Sequence, residues 1–128
     1  MIAKTYLVAA ALIYAALAIW CSVQPNITSA KVGFSLDGDT GRSEFLTVYG
    51  GLEMGLALIL LACVFRPEFT IAGVVGCVII HGSLVLFRTI SLFLYPAVES
   101  LTWRLAIGEW AILLAGIAVL WMSRSGKG

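Results

Sequence analysis

Four residues able to carry charge or a proton stand inside stretches that are otherwise apolar: Glu53 in YGGLEMG, His81 and Arg88 in VIIHGSLVLFRTI, and Glu109 in LAIGEWAILL. Tyr49, four residues before Glu53 and so on the same helical face, adds a hydroxyl. Two carboxylates and a guanidinium can form a forked ion pair, hold a polar headgroup, or move a proton between acids. An ionised side chain in hydrocarbon is costly, so such residues turn toward other helices or a cavity and are functional candidates by default. The candidate ligand-binding set is therefore Tyr49, Glu53, His81, Arg88 and Glu109. No spacing of cysteine, histidine and acid in the chain makes a metal site, and neither a nucleotide loop nor a nucleophile constellation is present, so no cofactor is assigned.

Apolar runs must carry these residues. Of 128 residues, 61% are hydrophobic and 12% charged, about half the charged share of a soluble domain. Four runs, 5–22, 45–65, 69–94 and 101–122, meet the roughly 17 to 25 residues that a membrane-crossing helix needs. The expectation is an all-α polytopic membrane protein: a single transmembrane domain over 1–128, built as a four-helix bundle with a long ordered loop between the first two helices. The first run follows Lys4, as a secretory signal would. Its apolar stretch exceeds a signal core and ends in Ile19-Trp20 without a small-x-small site, so it reads as a retained helix.

Helix geometry brings the charges to one level. Glu53 follows Phe45 by eight residues and Glu109 follows Leu101 by eight, about 12 Å along each helix, while Arg88 precedes Leu94 by six, about 9 Å. His81 lies seven residues before Arg88, on nearly the same face and about 10 Å further along. One arginine facing two acids leaves a surplus negative charge. One of Glu53 and Glu109 is expected to pair with Arg88, and the other to be met by a proton or a further cation. The bland alternative is that Arg88 only ties helices together while His81 bonds a backbone carbonyl in the core.

The connections set the topology. Arg66-Pro67-Glu68 and the 95–100 segment around Pro96 are short and impose antiparallel neighbours. The 23–44 connection is longer than a bundle turn needs. Its first half, PNITSAKVGFSL, is apolar enough to fold back or lie in the interface, and its second, DGDTGRSE, reads as turn-like. That second half fails as a calcium loop, because counting from Asp37 puts Gly41 at position five and Arg42 where glycine is required. Lys4, Arg66, Arg124 and Lys127 fall on one side against Lys31, Arg42 and Arg104 on the other, which favours cytoplasmic termini. The net charge of +1 offers no face for nucleic acid. Partners are expected in the membrane: lipids, a small amphipathic ligand, a larger membrane complex or a second copy.

Small residues and aromatics complete the pattern. Gly51-x-x-x-Gly55 forms a ridge for close helix approach, and Gly73, Gly76 and Gly82 punctuate the third helix. Cys21, Cys63 and Cys77 read as packing residues. Trp20, Trp103 and Trp121 near helix ends suit an aromatic belt, with Trp110 deeper.

The segment GRSEFLTVYGGLEMGLALILLACVFRP, with the arginine of LFRTISLFL and the glutamate of LAIGEWAILL, resembles a family of small bacterial four-helix membrane proteins of unknown function in the DoxX-like neighbourhood. The likeness runs from about Gly41 through the fourth helix, with Tyr49, Gly50, Gly51, Arg88 and Glu109 as markers. It implies an inner-membrane bundle and brings no substrate or catalytic residues. Three functions stay open: a non-enzymatic binding or accessory protein whose Glu53, Arg88, Glu109 layer holds a lipid headgroup or amphiphile; a structural subunit; or an enzyme using the acid pair for proton transfer.

Overall fold

The computed structural model describes residues 1–125, so Lys127 lies outside the described residues. The fold is all-α. Five helices follow one another: α1 (Ile2–Val23), α2 (Pro25–Lys31), α3 (Gly38–Phe65), α4 (Pro67–Leu94) and α5 (Ser100–Ser125). All but α2 are long and apolar enough to cross a membrane. A helix satisfies its own backbone hydrogen bonds, which is why apolar runs of this length take that form in lipid. The all-α, multi-pass fold class expected from the sequence is borne out.

The chain divides into two compact units, one of Met1–Leu7 with the chain from Cys63 onward, the other of Val8–Ala62. In the first unit α4 and α5 pack side by side. Leu7, Val74, Cys77, His81, Val85, Ala106, Leu113 and Val119 are buried there. Two glycines permit the packing. A Cβ on Gly73 would lie 2.6 Å from Cys63 Cβ, and one on Gly116 would lie 2.6 Å from both Tyr6 Oη and Val78 Cγ2. The tight turn into α4 places Pro67 at the first helical position, where its missing N–H costs nothing, and Thr70 Oγ1 donates to the Cys63 carbonyl at 3.1 Å.

The second unit buries Ala10, Ala11, Tyr14, Ala18, Cys21, Thr28, Ser29, Phe45, Ala57 and Leu60. Small side chains dominate this list, whereas large ones such as Leu12, Leu58 and Ile59 are exposed. That inversion suits helices solvated by lipid, where close approach of backbones rather than burial of bulk drives association.

Three differences from expectation have physical causes. The first half of the long loop contains α2, which opens with Pro25 and closes at Gly33 with φ of +81°. There Phe34 N donates to Ser29 O at 2.9 Å and Gly33 N to Ala30 O at 3.1 Å, the paired bonds of a Schellman end. The second half is helical from Gly38, so α3 begins seven residues before the expected Phe45. Extending a nucleated helix costs little per residue. Asp39 also lies in the first turn, where its charge suits the helix dipole, and meets Arg42 at 3.6 Å.

The third difference is at the glycines. A Cβ on Gly51, Gly55 or Gly76 would meet nothing within 4 Å, and one on Gly82 only Leu113 Cδ1 at 4.0 Å. The close approach in α3 is instead at Gly50, where an added Cβ would lie 2.6 Å from Ser22 Oγ. The cause is a π-helical stretch, Leu46–Leu52, ahead of the regular α-helix that resumes at Glu53. Its wider turn changes which residues share a face, and spacing counted at 3.6 residues per turn misplaces them.

Candidate functional site

The first unit contains a forked ion pair. Arg88 Nη2 donates to Glu109 Oε1 at 2.7 Å and Arg88 Nε to Glu109 Oε2 at 3.1 Å, so both carboxylate oxygens accept from one guanidinium. α4 and α5 run antiparallel through the 95–99 connection, which brings a residue six before the end of one level with a residue nine after the start of the other. The side chains are 29% and 14% exposed, well removed from a freely solvated surface pair. Such planar two-point bonding is among the stronger charge-assisted contacts.

A polar chain lies in the same unit. His81 is 2% exposed, and its Nδ1 lies 2.9 Å from the Cys77 carbonyl and 3.5 Å from Cys77 Sγ. A carbonyl only accepts, so Nδ1 carries the proton and donates. Tyr6 Oη lies 3.1 Å from the Ile112 carbonyl and 3.2 Å from Cys77 Sγ. Tyr6 has one hydroxyl proton to share between them, and the Cys77 thiol is a weak donor that can turn toward the phenol oxygen. Tyr6, in the first turns of α1, thus ties that segment to Cys77 of α4 and to the Ile112 carbonyl of α5 within the first unit. Tyr6 has no place among the sequence candidates; Gly116, which makes room for its hydroxyl, is the signal that could have found it. For His81, the carbonyl bond matches the core-histidine alternative.

Tyr49 and Glu53 belong to the second unit. The Tyr49 ring stacks on Phe45 with centroids 4.5 Å apart and meets Phe34 edge-on at 6.0 Å. These rings line an open groove of about 430 Å³ between the segment after α2 and the start of α3, completed by Gly33, Ser35, Leu36, Gly41, Glu44 and Val48. Each wall has a local cause. The Schellman end of α2 turns Phe34 back, and Gly41 lets the Leu36 backbone close, since a Cβ there would lie 3.3 Å from Leu36 Cα. The π-helical stretch carries Val48 and Tyr49.

Glu53 is not part of the groove lining. Its Oε2 is buried and, among the described residues, is the buried side-chain oxygen or nitrogen left without a hydrogen-bond partner. The neighbouring buried hydroxyls of the unit are satisfied, with Thr28 Oγ1 donating to Gln24 O at 2.9 Å and Ser29 Oγ to Asn26 O at 3.2 Å. Of the five expected residues, the structure therefore joins Arg88 with Glu109, sets His81 on its own helix's backbone, places Tyr49 in the groove, and leaves an oxygen of Glu53 unbonded. No group of three or more histidine, cysteine or acidic residues fit to hold a metal occurs among the described residues.

Comparison with known proteins found no matching family model, no matching curated protein and no matching solved structure.

Proposed function

We propose that the chain is a non-enzymatic binding or accessory protein of the bacterial inner membrane, with cytoplasmic termini and DoxX-like affinities, that holds a lipid or other small amphipathic molecule. The observation that carries this reading is the groove. Its walls combine Phe34, Leu36, Phe45, Val48 and Tyr49 with Ser35 and Glu44, an apolar lining with a few polar groups, as ligand sites usually have. It lies at the start of a membrane-length helix, where a molecule with one wet end and one oily end is solvated on both sides.

This reading moves the ligand from the expected charge layer to the groove. Arg88 spends two donors on Glu109, and Glu109 offers both oxygens in return. The same fork argues against a proton-transferring acid pair, because one of the two acids is held by a guanidinium. Native mass spectrometry after extraction in a mild detergent tests the proposal. Wild type should retain a lipid-mass adduct, and Tyr49→Ala should lose it while its far-UV circular dichroism is unchanged. A bare chain for wild type refutes it.

A second reading, a structural subunit or homo-oligomer, draws on a different observation. Gly51 and Gly55 leave open space on α3, which a neighbouring helix could fill. The same spectra report it, as a partner mass in place of a lipid mass.

A further inference from the structure

The groove has a charge preference built into it. Glu44, an exposed residue, is the single carboxylate among its lining residues, which also include Phe34, Phe45 and Tyr49. The cations closest in sequence have other contacts: exposed Arg42 meets exposed Asp39 at 3.6 Å, and Lys31 Nζ stands 5.5 Å from the centroid of Trp20, whose Nε1 donates to Gln24. Glu44 forms no ion pair among the described residues. Phe45 is buried and stacks on Tyr49, so the ring surface open to a ligand is that of Phe34, and a carboxylate beside it is complementary to an ammonium group, since a ring face is negative and the acid supplies a full charge. An anion in direct contact with Glu44 would be repelled, so the phosphate of an occupant must lie on the side of its ammonium away from the carboxylate.

Resting on the reading of the groove as an amphiphile site, we propose that its occupant is a phospholipid whose headgroup ends in an ammonium group, with the ammonium against Glu44 and the Phe34 ring and the chains passing along Val48 into the membrane. The source is a membrane lipid rather than a free cation because Leu36 and Val48 give the groove apolar walls that a bare ammonium ion would not use. Phe34 is 47% exposed, which leaves ring surface open to a ligand.

The experiment uses the full chain in dodecyl maltoside, supplemented with equal amounts of phosphatidylethanolamine and phosphatidylglycerol of matched acyl chains, and reads retained adducts by native mass spectrometry. Wild type should retain the ethanolamine lipid over the glycerol lipid by about two- to fivefold, the worth of one partly exposed cation–aromatic or ion-pair contact. Glu44→Gln should bring the two to parity, and Phe34→Leu should narrow the gap while both proteins stay folded. Equal retention by wild type, a preference for the glycerol lipid, or a preference untouched by Glu44→Gln overturns the charge assignment and leaves amphiphile binding standing. Displacement of the bound lipid by free ethanolamine at the same concentration overturns the lipid assignment. Retention of neither lipid overturns the groove reading itself.

Discussion

Removing one partner of the Arg88–Glu109 fork should harm the protein far more than removing both. Arg88→Met takes two donors from the Glu109 carboxylate, and Glu109→Leu takes from the guanidinium the carboxylate that accepts those two bonds, in helices long enough to lie within hydrocarbon. The two bonds of 2.7 and 3.1 Å and the 29% and 14% exposures place the pair nearer a buried ion pair than a surface one. Breaking a buried pair costs about 3 to 5 kcal/mol, whereas a surface pair is worth about 0 to 1 kcal/mol. Discounting for the partial exposure, each single replacement should cost about 3 kcal/mol. The double replacement has no orphaned charge, and buried pairs replaced by apolar residues are often neutral, so it should cost about 1 kcal/mol or less. The readout is unfolding in mixed micelles of rising dodecyl sulfate fraction, followed by far-UV circular dichroism, with the four proteins forming a double-mutant cycle. Costs that simply add would refute the argument that each residue's main role is to satisfy the other.

Two further outcomes follow from particular contacts. Gly116→Ala pushes a methyl group to 2.6 Å from Tyr6 Oη and Val78 Cγ2 and should lower stability by about 2 kcal/mol in the same assay, with Tyr6→Phe recovering part of the loss by removing the oxygen. Glu53→Leu removes a carboxylate whose Oε2 is buried and unbonded, so it should leave the unfolding free energy unchanged or raise it by about 1 to 2 kcal/mol, and a clear loss would mean that Glu53 has a compensating partner.

Whatever depends on the axial rise was legible from residue types alone. The four membrane-length spans, the antiparallel connections and the common level of Arg88 and Glu109 rest on 1.5 Å per residue and short turns, and the structure brings that pair together. Whatever depends on rotation about a helix axis was less so. Tyr49 faces Phe34 and Phe45, and the close contact falls at Gly50 rather than on the Gly51 and Gly55 ridge, because a π-helical stretch intervenes and carries no compositional mark. The helical start at GDTGRSE was hidden for a different reason: glycine, aspartate and serine read as a turn by propensity, and the apolar helix to which they are joined overrides them. Tyr6 was hidden because its partners, Cys77 and the Ile112 carbonyl, lie far along the chain.

The π-helical stretch from Leu46 to Leu52 also buffers the groove against a change in chain length. Such a stretch takes up surplus residues within a helix, and deletion of one can return it to ordinary α geometry. A wider turn needs more residues to come round to the same face, so a single deletion at Leu46 or Thr47 that restored the α turn would leave Glu44 and Phe45 in nearly the direction they now share with Val48 and Tyr49, and one after Tyr49 would not alter their spacing at all. A chain one residue shorter at this point would keep every span and every charge, and the four side chains of this face would still point together.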